Sequence, residues 1–409
     1  MAKIVIIYRY FWPDTPPYAT MLRDIASALV VAGHEVEIIT AQPSYKADVT
    51  NLKRPWFEDL DGINVRRLRL LNERGSAVLK LINSVLFVLQ AFALLTFSRR
   101  RDIYWTATMP PVVQPFLISL CARIKKGRFI YHMQDIYPEI ATVTPGMKIN
   151  PFISSLLLRL DRYTQKHSDA IIVLSNDMKD AIIERGIQAS KIIESNNFSL
   201  VENGQINKLN LASAPKDTEK VKFIFAGNVG RFQNLDALVS AFEKLQAEEV
   251  ELIILGAGRA KNDLIKQVER RSISNVVFKD HLPAEEAFEY LTQCHVGIVS
   301  LSPKIIKYAF PSKVLTYMAA NLPIFAFVED ESSLAKLLRT KNIGGSVSWL
   351  SDMDVIAQKI CEMAQSVRGQ EMTPAKHREL YSKQFAQERM LEMINKLSTK
   401  SVEGRAKDS

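Results

Sequence analysis

Three groups of residues in this chain have the types and spacing to act on an anionic, hydroxyl-bearing ligand. The first is His132-Met133-Gln134-Asp135-Ile136-Tyr137-Pro138-Glu139, which directly follows an apolar run of strand character. At the C-terminal edge of a strand, His132, Gln134, Asp135 and Glu139 are candidates for acid, base or hydroxyl-binding work, with Asp135 favoured. The second group lies in the stretch 308–323. There Pro311-Ser312 turns the chain into a helix with Lys313 in its first turn, and Pro323 ends it. Ser312 is expected as the N-cap. A helix start with unpaired N–H groups beside a fixed cation makes a seat for a diphosphate, although an ordinary capped helix reads the same way. The third group is a pair of glycine turns, each after a strand: Gly227-Asn228-Val229-Gly230-Arg231-Phe232-Gln233-Asn234 and Gly256-Ala257-Gly258-Arg259. Glycine there lets backbone N–H groups approach an anion, and Arg259 adds a cation. Each turn is a weak signal alone. Three loops that follow strands of one domain can converge on one nucleotide diphosphate.

The elements that must position these loops are those of an α/β chain. Residues 4–8 are an apolar, β-branched run of buried-strand character. A loop rich in Pro and aromatics follows, then Met21, Leu22, Ile25, Ala28 and Leu29 at helical spacing, Gly33 as a C-cap, and a second strand at 36–40. This is a βαβ unit, so a parallel, doubly wound sheet is expected. No GxGxxG follows the first strand, which argues against a standard dinucleotide site. Further strands are expected at 65–68, 103–105, 128–132 and 170–174. A second α/β series has strands at 223–226, 252–255, 276–278, 296–300 and 324–327, with a helix at about 235–245. The polar tract 195–220 reads as the linker. The organisation expected is an N-terminal domain over 1–200, a C-terminal domain over 221–370, helices over 371–397 that return to the first domain, and a disordered tail over 398–409. Ligands bind at the C-terminal edges of such sheets.

With 409 residues, 47% hydrophobic and 24% charged, the chain has material for two soluble domains. The net charge of +9 favours an anionic partner. It is not gathered into a nucleic-acid recognition motif, so nucleic acid is not expected as a partner. Cys121, Cys294 and Cys361 are far apart and lack metal-ligand spacing. They fit a reducing compartment, and the N-terminal apolar run is too short for a signal peptide, so a cytoplasmic protein is expected. The segment 77–97 is about as long as a membrane span, but Lys80, Asn83, Ser84 and Gln90 share one arc of its helical wheel. The remaining apolar face, bordered by Arg99-Arg100-Arg101, fits a helix lying in a membrane interface better than one crossing it. A helix buried in the first domain is the competing reading.

On several of these motifs the chain resembles glycosyltransferases of the GT-B fold, in the large family 4 used in bacterial surface-polysaccharide assembly. The branch it most resembles contains the L-fucosamine transferase of O-antigen synthesis. The matching stretches are Tyr10-Phe11-Trp12-Pro13, Gly33-His34-Glu35-Val36, Gln42-Pro43-Ser44-Tyr45, Asp61-Gly62-Ile63, Gln134 to Glu139, Gly227 to Gly230 with Gln233-Asn234, Gly256-Ala257-Gly258 and Pro311-Ser312-Lys313. The resemblance implies two Rossmann-like domains facing each other across a cleft, with donor nucleotide in the C-terminal domain and acceptor toward the N-terminal one. It also implies retaining transfer and no bound metal or cofactor, the nucleotide-sugar being a substrate. Relative to many members, Asn228 and Gln233 replace an Arg and a Lys that hold the donor diphosphate. Tyr308 and Thr316 stand where two glutamates hold the donor sugar and ribose. More of the charge neutralisation would then fall to Lys313, Arg231 and Arg259. Pro16-Pro17-Tyr18 occupies the loop that often carries a glycine pair near the phosphates.

The expected activity is hexosyl transfer from a nucleotide-diphosphate sugar, UDP-linked, to a polyprenyl-diphosphate-linked oligosaccharide, by an enzyme held at the inner face of the cytoplasmic membrane. A nucleotide-sugar epimerase of the same fold and a catalytically silent scaffold of a polysaccharide assembly complex are the alternatives.

Overall fold

A computed structural model of the protein describes residues 1–44, 53–73, 76–199, 219–230, 233–372 and 374–407. The chain divides into two compact units. One comprises Met1–Glu139, Ile149–Leu200 and Lys383–Ser409, and the other Ile140–Lys148 and Val201–Ser382.

The first unit runs β1 (Lys3–Ile7), α1 (Pro17–Val31), β2 (Glu35–Ala41), β3 (Phe57–Leu60), β4 (Ile63–Leu68), α2 (Ala77–Phe97), β5 (Ile103–Ala107), α3 (Val113–Ile124) and β6 (Arg128–His132). It continues through α4 (Glu139–Val143), at its boundary, then α5 (Pro151–His167), β7 (Ala170–Val173), α6 (Asn176–Glu184) and β8 (Ile192–Glu194). Its sheet has the order β3-β4-β2-β1-β5-β6-β7-β8. Every pairing is parallel except β3 with β4. That exception is a hairpin turned by Asp61-Gly62, both at positive φ, a conformation Asp-Gly pairs adopt readily. The buried strands are near-continuous apolar runs, as a sheet covered on both faces requires.

The second unit runs β9 (Val221–Ala226), α7 (Leu235–Glu243), β10 (Val250–Leu255), α8 (Lys261–Arg270), β11 (Val276–Lys279), α9 (Ala284–Leu291) and β12 (Val296–Ser300). Then come α10 (Lys313–Ala319), β13 (Ile324–Phe327), α11 (Ser333–Thr340), β14 (Gly344–Val347) and α12 (Met353–Arg368). Its six strands are all parallel, in the order β11-β10-β9-β12-β13-β14. The chain winds outward from β9 to β11 and then returns to β12. The crevice between β9 and β12 is therefore the switch point at which ligands of such sheets bind.

A last helix, α13 (Lys383–Lys407), packs on the first unit. Ala386, Met390, Met393 and Ile394 join the core with Leu22, Ile25 and Leu29 of α1, and Lys383 pairs with Asp24 at 2.6 Å. The tail expected at 398–409 is instead helical backbone as far as Lys407, because the segment has no proline and continues the helix without a break. The linker expected at 195–220 lies mostly outside the described residues. Strands β3, β8 and β14 escape a search for apolar runs: β3 is the polar Phe-Glu-Asp-Leu, β8 has three residues, and β14 opens with Gly344-Gly345.

Candidate functional site

In the second unit the two glycine turns leave the C-terminal ends of adjacent strands β9 and β10, and their backbones interlock. Val229 N–H donates to the Ala257 carbonyl at 3.0 Å, and Ala260 N–H to the Val229 carbonyl at 3.2 Å. A Cβ at Gly256 would lie 2.0 Å from the Gly227 carbonyl oxygen, and one at Gly258 would lie 2.1 Å from that of Val229. The missing side chains of Gly256 and Gly258 are thus taken up by loop-against-loop packing rather than by the approach of an anion. Gly227, at φ +126°, is exposed and faces Lys313; a Cβ there would stand 3.0 Å from its Cε and 3.7 Å from its Nζ.

Lys313 is the first residue of α10, and its Nζ sits 3.8 Å from the centroid of the Phe225 ring, near the end of β9. Among the described residues the amine makes no hydrogen bond or ion pair. Burial alone, with no carboxylate to offset it, lowers its pKa to about 7. A cation held without a counter-charge over an aromatic face and beside an exposed glycine is a ready-made anion contact.

The helix start contributes less than expected. Ser312 is itself helical (φ −58°, ψ −20°) and its hydroxyl makes no capping bond, since the turn already begins at Pro311, whose carbonyl accepts from Val314 N–H at 3.1 Å. With only seven residues, α10 supplies no extended dipole. Gln233 folds back on its own loop: its side-chain oxygen accepts from Gly230 N–H at 3.2 Å and its carbonyl accepts from the Ser300 hydroxyl. Asn228 and Arg259 are exposed on the same loops, while Tyr308, Pro311 and Thr316 are half-buried nearby in sequence. Arg231 lies outside the described residues.

The first unit separates the residues of its polar motif. His132 is fully buried. Its Nδ1 is 2.9 Å from the Tyr18 hydroxyl, its ring packs on those of Tyr18 and Trp105, and burial lowers its pKa to about 3. Burial keeps the ring neutral in the core, and its Nε2 is buried without a hydrogen-bond partner among the described residues. Tyr18 is buried with it. Pro16 and Pro17 open α1 and carry no N–H, so neither can donate to a phosphate. Glu139 is committed to Arg185, which also donates to the Tyr137 carbonyl at 2.8 Å and to the buried carboxylate of Asp161 at 2.5 Å. Tyr131 and Gln165 complete the shell of Asp161 at 2.9 and 2.7 Å. Glu139 is therefore an anchor for the loop rather than a reacting group. Asp135 is the one carboxylate of the motif left over. It makes no hydrogen bond or ion pair among the described residues, and burial raises its pKa to about 6.

Gln134 accepts from Asn197 Nδ2 at 2.8 Å, leaving its own Nε2 and the Asn197 Oδ1 buried without partners. An unpaired donor beside an unpaired acceptor matches a hydroxyl-bearing ligand. Sequence reasoning missed Asn197 by reading 195–220 as linker. The Asn196-Asn197 pair directly after β8 was the available signal.

Helix α2 lies in the first unit with its polar arc turned inward. Asn83, 1% exposed, bonds both backbone groups of Leu71, at 2.9 and 2.8 Å. Ser84 accepts from the buried Arg9 at 2.8 Å, which also pairs with Glu73, and Gln90 donates to the Arg69 carbonyl at 3.1 Å. Only Lys80 of the four points its side chain to the exterior. Phe87, Val88, Ala91 and Leu95 fill the core, while Val78, Leu81, Ile82, Val85, Leu89 and Phe97 are exposed, Leu81 by 68% and Phe97 by 89%. On length and composition α2 could also cross a membrane, and 28% of its span is buried.

Two α/β units, one on a fully parallel sheet and one on a sheet parallel but for β3, match the GT-B fold. HepE from Anabaena, solved in complex with UDP and glucose, superposes with a TM-score of 0.66 at 14% identity, over 97% of this chain and 100% of that one. The family described as Glycosyl transferase 4-like domain matches residues 18–194, and that described as Glycosyl transferases group 1 matches residues 220–366. The two matches lie one in each half of the chain and mark it as a glycosyltransferase. Escherichia coli K12 WcaI, assigned as a colanic acid biosynthesis glycosyl transferase, is 24% identical over 83% of this chain and 86% of its own length. Pseudomonas aeruginosa WbjE, assigned as a glycosyltransferase, is 23% identical over 60% of this chain; the match spans 62% of WbjE.

Proposed function

We propose that the protein transfers a sugar, with retention, from a UDP-linked donor to a polyprenyl-diphosphate-linked oligosaccharide in surface-polysaccharide assembly. The donor sugar suggested by the motif resemblance is an amino-deoxy sugar of the N-acetylfucosamine kind. The observation that carries the reading is Lys313, a cation without a counter-charge that faces Gly227 at the end of β9. As the bond from the sugar to the diphosphate breaks, negative charge grows on the departing UDP, and a pre-positioned ammonium in a desolvated place stabilises that charge. Arg231 and Arg259 supply the remaining neutralisation, since Asn228 and Gln233 are neutral. Asp135, Gln134 and Asn197 line the acceptor side of the chemistry, with Asp135 poised to hold or accept a hydroxyl proton. The sugar nucleotide is a substrate, and no cofactor enters the reading. The UDP complex of HepE and the colanic acid role assigned to WcaI support donor class and pathway class.

The same reading places the enzyme peripherally on the inner face of the cytoplasmic membrane, where a polyprenyl acceptor resides. The inward polar arc of α2 supports it, because a helix that satisfies its polar groups inside and presents Leu81, Val85 and Leu89 outside is built to bury that face in a second medium. Arg99 and Arg100, both exposed at its C-terminal end, suit anionic headgroups.

The test is a thermal-shift series with UDP, GDP, dTDP and ADP at equal concentration. UDP at about 100 times its dissociation constant adds ~2.7 kcal/mol of stability, and Lys313→Ala should abolish the gain. Stabilisation by GDP alone would redirect the donor. No stabilisation by any of the four would favour a catalytically silent scaffold, and UDP binding with release of an epimerised sugar would favour an epimerase.

A further inference from the structure

Strands β9 and β12 pair over only two positions, Val296 with Phe223 and Gly297 with Ile224, although each continues to pair with its outer neighbour as far as Ala226 and Ser300. In a regular parallel ladder the next rung would run from the Ala226 N–H to the Ile298 carbonyl. The Tyr317 hydroxyl occupies that place. It accepts from Ala226 N–H at 3.0 Å and lies 3.1 Å from the Ile298 carbonyl and 3.2 Å from that of Ile224, to either of which it can donate. The ring is wholly buried, and room for it is made at Gly297, where a Cβ would fall 2.5 Å from the ring carbon Cγ. The side chain enters from α10, one helical turn after Lys313, so the two residues share a face. Lys313 meets Phe225 and Gly227, and Tyr317 binds the residue between them.

We propose that Tyr317 is a positioning residue: its hydroxyl wedges β9 and β12 apart at the switch point and fixes the Ala226-Gly227 backbone at the distance from Lys313 that a donor diphosphate requires. This deepens, and rests on, the reading of Lys313 as the diphosphate contact. The physical case is that, past the rung at Gly297 and Ile224, the Tyr317 hydroxyl is the link between β9 and β12 among the described residues. Without the hydroxyl, the partly buried Ala226 N–H loses its partner, and the strands either close on each other or admit water, and both outcomes shift Gly227 against α10.

Two measurements separate failure of the wedge from failure of the donor reading. In ligand-free protein with 13Cε-labelled lysine, NMR titration follows the Lys313 amine in wild type and in Tyr317→Phe. The expected result is a displaced midpoint in the variant, because the desolvated place beside Gly227 is altered. An unchanged midpoint overturns the wedge whether or not UDP binds. Calorimetric titration with UDP then asks about the site: wild type should bind, and Tyr317→Phe should bind ~5- to 10-fold more weakly, the worth of about one hydrogen bond. Wild type that ignores UDP overturns the donor reading alone. Equal UDP affinity in both overturns the wedge. Gly297→Ala keeps the hydroxyl but pushes the ring, and should reproduce the loss. If neither variant folds, amide exchange in wild type decides. Ala226 N–H must be protected to the level of the paired core of β9, and fast exchange there would overturn the proposal.

Discussion

Raising the pH is the least invasive perturbation of Lys313, and its effect on UDP binding can be worked from the structure. Burial holds the free amine at about 7; a diphosphate in contact restores the charged form and moves the value back toward the ordinary one. Binding above neutrality must then take up a proton, and affinity falls with pH until the bound-state value is reached. With a free value of about 7 and a bound value of about 10.4, the dissociation constant rises ~16-fold, or ~1.6 kcal/mol, between about pH 7 and about pH 8.5. Proton uptake per UDP, read by calorimetry in buffers of different ionisation enthalpy, should grow from about one half to nearly one over the same range. Lys313→Arg stays charged throughout and should bind UDP with no such slope. For the ligand-free protein the sign is opposite. A lysine whose folded value lies below its unfolded one binds fewer protons when folded, so its contribution to stability improves as pH climbs from about 7 toward about 10. UDP affinity that is flat across this window, or uptake near zero, would refute a desolvated Lys313 as the diphosphate contact.

Three further outcomes follow from other parts of the molecule. If Asp135 handles a proton, kcat/KM should rise through about pH 6, the value to which burial lifts its carboxyl, and Asp135→Asn should remove that limb and lower kcat by ~100-fold or more. Arg185→Ala leaves the buried Asp161 and the Glu139 carboxylate without their partner, so unfolding in urea should show a loss of ~3–5 kcal/mol. Leu81→Asp with Leu89→Asp should leave UDP binding intact while cutting association with vesicles rich in anionic lipid ~30-fold or more, since each half-exposed leucine stands to bury ~1–1.5 kcal/mol of apolar surface. Unchanged vesicle binding in that variant would remove α2 as the membrane face.

Much of the fold was legible because parallel strands buried on both faces write themselves as apolar runs. Residues 4–8, 128–132 and 296–300 needed no partner to be recognised. What escaped were elements whose identity depends on a neighbour. Strand β3 is polar and half-exposed, and exists as a strand because Asp61-Gly62 turns it back onto β4. Strand β14 begins with Gly344, whose missing side chain admits the Ile324 carbonyl; a Cβ there would fall 1.9 Å from that oxygen. The residue types at the site were legible too, but their roles were not. His132, Asp135 and Glu139 read alike as titratable groups, and only the packing distinguishes a histidine in the core, a carboxylate without a partner and a carboxylate bound to Arg185. Arg185 lies 46 residues from Glu139, a separation at which no local pattern pairs them.

Helix α2 shows where the limit falls. Its sequence states two arcs, one polar and one apolar, with equal clarity, and amphipathicity alone predicts that the apolar arc turns inward. The structure does the reverse over the first half of the helix, for a reason that lies outside it. Arg9 emerges from the end of β1 buried to 3% exposure and needs acceptors, which Ser84 and Glu73 provide. Leu71, at the end of the chain leaving β4, has backbone groups that Asn83 alone satisfies among the described residues. Turning the helix over would bury Val85 and Leu89 but take Ser84 from the buried Arg9, which would keep Glu73, carry Asn83 away from Leu71 and Glu73, and put the amide of Asn83, now 1% exposed, where Val85 and Leu89 stand. It would also expose Phe87, Val88, Ala91 and Leu95, now buried, and the lost hydrogen bonds of ~0.5–1.5 kcal/mol each add to that cost, so the gain from two half-exposed side chains is outweighed. The outward apolar face is thus enforced by polar satisfaction beneath it, and it persists whether or not a membrane is present.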